Sequence, residues 1–152
     1  MPDDVDGVGR YETARRFLGS LFGQVEGGAI LVWTVTPTAK LSHWPESIDA
    51  AARFAASAGT TTNVYVGCGW REKPLGAHAR GARANVAGIP ALWVDLDCDD
   101  DAVRRAAALA KLHAFNPLPS AIIDSGGGLH AYWLLSEPAS LVDESARKQA
   151  AG

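Results

Sequence analysis

Apolar residues in this chain recur either every third or fourth position or every second, and the switching between these spacings lays out the elements. In Tyr11 to Phe22, Ala14, Phe17, Leu18, Leu21 and Phe22 fall on one side of a helix, and Gly23 offers a stop. Gly28 to Val35 is a short apolar run preceded by glycine and followed by Pro37, which predicts a buried strand. A second helix is predicted over Ser42 to Ala58, with Ser42 as its cap, Pro45 near its first turn and Gly59 beyond its end. Asn63 to Trp70 alternates and reads as a strand, so the N-terminal part is αβαβ.

Ile89 to Asp97 (IPALWVDLD) organises the C-terminal part of the chain. Leu92, Val94 and Leu96 alternate with Trp93, Asp95 and Asp97, giving one greasy face and one that ends in two carboxylates. Residues two apart on a strand lie roughly 6.6 Å apart along the backbone and point the same way, so both acids can converge on a cation. Like charges so placed repel unless a positive charge sits between them, which makes Asp95 and Asp97 a candidate divalent-metal site; the plain alternative is the start of a solvated turn.

Asp99, Asp100 and Asp101 then crowd the start of a helix predicted to run to about His113, where acids suit the positive end of the helix dipole. Pro119 to Asp124 and Ala131 to Leu135 read as two strands of a hairpin joined through Ser125, Gly126, Gly127, Gly128, Leu129 and His130. Glycine N–H groups and the Ser125 hydroxyl can donate to phosphate oxygens, although no Lys-Ser/Thr follows as in a Walker loop. A flexible hairpin is the alternative. From Pro138 another helix is predicted, with no strand after it.

Charge adds one feature. The 152 residues carry a net −3, yet Arg71, Lys73, Arg80 and Arg83 cluster in the glycine- and alanine-rich stretch Arg71 to Gly88, a candidate anion-binding flap or an ordinary solvated loop. The acidic, polar N-terminus and the lack of any stretch of about 20 apolar residues point to a soluble, cytoplasmic protein without a membrane span. Cys68 and Cys98 stand thirty residues apart and carry no zinc spacing.

With both motifs placed, the chain resembles the bifunctional primase-polymerase (prim-pol) domains of the archaeo-eukaryotic primase superfamily found in phages and mobile elements. The resemblance runs from about Phe17 to Pro138 through FLGSLFG, VYVGCGWREKP, RGARANV, ALWVDLD and PSAIIDSGGGLHAYWLL. It implies an α+β fold: an RRM-like (ferredoxin-like) primase palm over 89–152, lacking its last strand, preceded by an α/β unit and basic loop over about 10–88, all one catalytic domain spanning 1–152. It implies that Asp95 and Asp97 bind two Mg²⁺ or Mn²⁺ ions and that His130 contacts the incoming (d)NTP, beside Ser125 and Gly126 to Gly128, with Arg80 and Arg83 offsetting phosphate charge. Arg71 and Lys73 would face nucleic acid, the partners being single-stranded DNA template, primer and a helicase domain or partner.

The family's third motif, a carboxylate on the next strand, has no counterpart; Asp143 and Glu144 fall in the predicted last helix and are not assigned. Two other readings stand beside this one: a non-catalytic RRM-like nucleic-acid-binding module using Trp93 and Tyr132, and an inactive truncated remnant. A relaxase-type nuclease would need a histidine pair on a strand, and only His130 is so placed.

Overall fold

The computed structural model describes residues 5–142, a mixed α+β chain with two antiparallel sheets and three α-helices. The order is α1 (Val5–Phe22), β1 (Val32–Val35), β2 (Lys40–His43), α2 (Ile48–Ala58), β3 (Asn63–Val66), β4 (Trp70–Arg71), β5 (Val86–Asp97), α3 (Ala102–Ala114), β6 (Ala121–Asp124) and β7 (Gly128–Ser140). Strands β2-β1-β3 form one sheet and β4-β5-β7-β6 the other. The chain divides into two units, Met1–Pro90 with Glu137–Gly152 and Ala91–Ser136, so the boundary runs through β5 and β7. Among the described residues no helix is long and apolar enough to cross a membrane.

In the first unit, α1 ends where its spacing predicts: Leu18, Leu21 and Phe22 are buried, and the Gly23 amide donates to the Gly19 carbonyl at 2.9 Å. Helix α2 buries Ala51 and Ala52 completely. The two helices are tied at Asp49, which accepts from the Tyr11 hydroxyl and, at 2.8 Å, from Arg53, whose guanidinium also lies over the Tyr11 ring. The Tyr11 hydroxyl first, and Arg53 second, hold the Asp49 carboxyl below the usual carboxylate range.

Three predicted elements are redrawn. Ser42 does not cap a helix: it is a buried β2 residue opposite Trp33, and its amide donates to the Ala77 carbonyl. Pro45 biases Trp44 away from helical geometry, so α2 starts only at Ile48, with the Ser47 side chain accepting from the Ala50 amide at 3.0 Å. The predicted strand Asn63 to Trp70 splits at Gly67–Gly69. Residues before the split pair with β1, and Trp70 and Arg71 pair instead with Gly88 and Val86 of β5. Gly69 permits this, because a Cβ there would stand 2.6 Å from the Gly88 carbonyl oxygen.

The third change is at the C-terminal end. Pro138 to Ser140 extend β7 rather than open a helix, and the Leu141 amide donates to the Ala87 carbonyl at 2.7 Å. No strand follows β7 among the described residues, and the edge beside β5 is taken by β4. Asp143 and Glu144 lie outside the described residues.

Because Ser47 and not Ser42 caps α2, Ser47→Ala should cost about 1 kcal/mol of stability in urea unfolding, while Ser47→Asp should be near neutral.

Candidate functional site

In the second unit, helix α3 covers one face of the β5-β7-β6 strands. Leu112 packs with Leu129 and Ala131, flanked by Val94, Leu96, Ala108, Leu109, Ile122 and Trp133. The alternation read from the sequence sorts Val94, Leu96, Leu129 and Ala131 onto the α3 face, although Leu92, expected with them, is exposed, and Asp95, Asp97 and His130 fall on the face away from α3. There His130 Nε2 lies 3.3 Å from Asp95 Oδ1, an ion pair whenever the imidazole is protonated. Asp95 is 70% exposed in its side chain and His130 32%, so the pair is open to a ligand.

Asp97 closes β5. One of its oxygens accepts from the Asp99 amide at 3.1 Å, a turn that places Asp99 and Asp100 at positive φ. Asp101 caps α3, accepting from the Val103 and Arg104 amides, so it is a capping acid as predicted. Arg104 pairs with Asp99 at 2.5 Å and approaches Asp101 at 3.9 Å. Asp97 has no ion-pair partner among the described residues, which leaves beside Asp95 a carboxylate whose charge no basic side chain among them offsets.

The glycine turn between β6 and β7 is more rigid than a phosphate cradle read from the sequence would be. Its Gly126 amide donates to Asp124 Oδ1 at 2.9 Å and its Gly128 amide to Ser125 Oγ at 3.1 Å, so two of the three glycine N–H groups are engaged inside the turn. The Ser125 hydroxyl keeps its hydrogen to donate outward. The Gly127 carbonyl accepts from the Cys98 amide at 3.0 Å, which ties the turn to the end of β5.

Arg105, absent from the sequence reading, secures the same turn from α3. Its guanidinium donates to Asp124 Oδ1 at 2.6 Å, to the Gly126 carbonyl at 2.5 Å and to the Gly128 carbonyl at 3.3 Å. The Gly126 amide first, and Arg105 second, pull the Asp124 carboxyl below its ordinary value. Gly128 is required for a separate reason: a Cβ there would sit 2.2 Å from the Leu96 carbonyl oxygen.

The four loop cations belong to the first unit and have different surroundings. Arg71 is half-buried, donating to the carbonyls of Gly69 at 2.6 Å and Arg80 at 3.2 Å, and burial lowers its pKa. Lys73 and Arg83 line a cleft of about 630 Å³ together with Glu72 and Leu141. Arg80 lies over the Trp33 ring, 5.4 Å from its centroid.

Two carboxylates suffice to fit a Mg²⁺-type site, since such ions keep waters and take phosphate oxygens as further ligands. A self-sufficient protein cage is a different matter: among the described residues no group of three or more His, Cys, Asp or Glu could hold a metal ion. No family model, curated protein or solved structure matches the chain.

Two outcomes check this site's construction. Gly128→Ala should cost about 1–3 kcal/mol through the clash with Leu96, whereas Gly126→Ala, in open space at φ +92°, should cost about 1–2 kcal/mol of backbone strain alone. The folded Asp124 pKa lies below the unfolded 3.8, so its stabilisation is fully present above that pH and is lost as pH falls through the folded value. Arg105→Gln should flatten this acid limb in thermal melts taken below about pH 4 and leave the neutral-to-alkaline limb unchanged.

Proposed function

We propose that the chain is the nucleotide-binding and metal-binding core of a primase-polymerase, carrying out metal-dependent, template-directed transfer of a nucleotide from a (d)NTP to a 3′-hydroxyl. The observation that carries the reading is the grouping of Asp95, Asp97 and His130 on one face, next to the Ser125–Gly128 turn. The strand sequence β5-α3-β6-β7, with sheet order β4-β5-β7-β6, supports an RRM-like palm in which β4 takes the edge position a last strand would fill.

Asp95 and Asp97 would hold Mg²⁺ or Mn²⁺. The metal's contribution, when bound, is to offset triphosphate charge and to lower the pKa of the attacking hydroxyl. The protein's own part is positional. Asp95 would orient His130 so that an imidazole N–H can donate to the triphosphate, and a well-placed donor of this kind contributes about 3 kcal/mol, roughly a hundredfold in rate. The Ser125 hydroxyl adds a donor at the same end of β7, and Arg105 holds the turn that carries it. The face opposite α3 supplies charge and hydrogen bonds, while the α3 face supplies the rigidity that keeps them registered.

A dNTP titration with and without Mn²⁺ tests the reading. Wild-type protein should bind more tightly with the metal, and Asp95→Asn combined with Asp97→Asn should remove that difference while leaving the thermal melt within about 1 kcal/mol of wild type, since the pair is exposed. His130→Ala should weaken triphosphate binding by about tenfold and monophosphate binding by less. Metal-independent binding, or none, would leave the acids as strand-end solvation and sink the enzymatic reading.

A further inference from the structure

The sheet of the first unit carries a surface unrelated to the carboxylates. Its register places Trp33 opposite Tyr65 across β1 and β3, and the rings stack with centroids 5.4 Å apart and planes 11° from parallel. The helix-facing side of this sheet carries Val32, Thr34 and His43, the last with its ring 4.1 Å from that of Phe54 in α2. Trp33 and Tyr65 alternate with these and so lie on the other side. Tyr65, on the edge strand β3, is 42% exposed.

Cations frame the pair. The Arg80 guanidinium lies over the Trp33 ring, and Lys40, opposite Val35 in register, shares its face and is exposed. Neither Arg80 nor Lys40 has a carboxylate partner within 4.0 Å among the described residues, whereas Arg53, Arg104 and Arg105 all do. In a chain of net charge −3, two cations without carboxylate partners beside an exposed π surface are complementary to an anion that also carries flat rings. A cross-strand aromatic pair kept only for sheet stability would need no such cations.

We propose that Trp33, Tyr65, Arg80 and Lys40 form a stacking surface for a single strand of nucleic acid, a base lying against Tyr65 and backbone phosphates against Arg80 and Lys40. Every base has a π face, so such a surface grips without reading sequence. Arg80 is thereby assigned a backbone phosphate rather than the triphosphate. The proposal is independent of the metal site and is tested without metal or nucleotide, so failure of one leaves the other standing.

The experiment is fluorescence anisotropy of a labelled deoxythymidine strand of about 20 nucleotides, in chelator at low salt, alongside an abasic strand of the same length. Wild-type protein should bind the thymidine strand about tenfold more tightly than the abasic one; Tyr65→Ala should abolish that difference and Tyr65→Phe should keep it. Arg80→Gln and Lys40→Gln should weaken both strands alike and each reduce the slope of log affinity against log salt by about 0.7. Should Tyr65→Ala fail to fold, the abasic comparison and these two exposed-site variants decide the matter. Equal wild-type binding of both strands, no binding of either, or a folded Tyr65→Ala that retains the preference would overturn the proposal.

Discussion

Strand β7 approaches β5 so closely at Gly128 that a single methyl group there would strike the Leu96 carbonyl, and the placement of the carboxylate face depends on that approach. Leu96 lies between Asp95 and Asp97, so the backbone that Gly128 touches is the backbone that carries both acids. The Cys98 amide reaching the Gly127 carbonyl and the guanidinium of Arg105 reaching three acceptors in the turn hold the approach from two further directions. His130 follows Gly128 by two residues, and its meeting with Asp95 is a consequence of this register. Gly128 thus serves to bring two strands together, while Gly126 and Gly127 stand in open space.

Electrostatics sharpen the point. Five acids fall between Asp95 and Asp101, an arrangement that would repel itself without local compensation. Arg104 serves Asp99 and Asp101, and the helix N-terminus serves Asp101 a second time. Asp95 has His130. What remain among the described residues are Asp100, in the turn, and Asp97, at the end of the strand beside Asp95 with a single backbone amide. Exposed pairs of this sort stabilise a fold by about 0–1 kcal/mol, so stability is a weak reason for such a concentration of charge.

How far the sequence discloses this can be seen residue by residue. The period-2 alternation of Val94 to Asp97 and of Leu129 to Ala131 is an imprint of one face covered by α3 and one facing away from it, which is why the carboxylates and His130 are legible, whereas Leu92 is exposed and Tyr132 buried against the pattern. Ser42 misleads because a serine shortly before a proline looks like a cap, whereas the chain hides it between β1 and the Ala77 carbonyl, a tertiary contact with no local signature. Trp70 and Arg71 leave one sheet for another across two glycines, and only the three-dimensional pairing with Gly88 reveals the exchange. Arg105 escapes for a related reason. Two of its acceptors are backbone carbonyls, and any helix can carry an arginine toward solvent.

The two surfaces differ in kind, and the difference bears on what each can do. The carboxylate face would repel phosphate without a cation, so on the proposed reading its affinity for nucleotide is conditional on metal. The Trp33–Tyr65 face, with Arg80 and Lys40 beside it, would on the proposed reading attract phosphate with no such condition. Taken together, the two proposals describe a protein that would hold a strand continuously and admit a triphosphate only when the metal is present, which would separate retention of the polymer from selection of the monomer. A sheet face combining acids and stacking rings could not make that separation, because the charge that draws in the cation would push away the strand. Here the acids are grouped on β5 and the ring stack on β1 and β3, one in each unit of the chain.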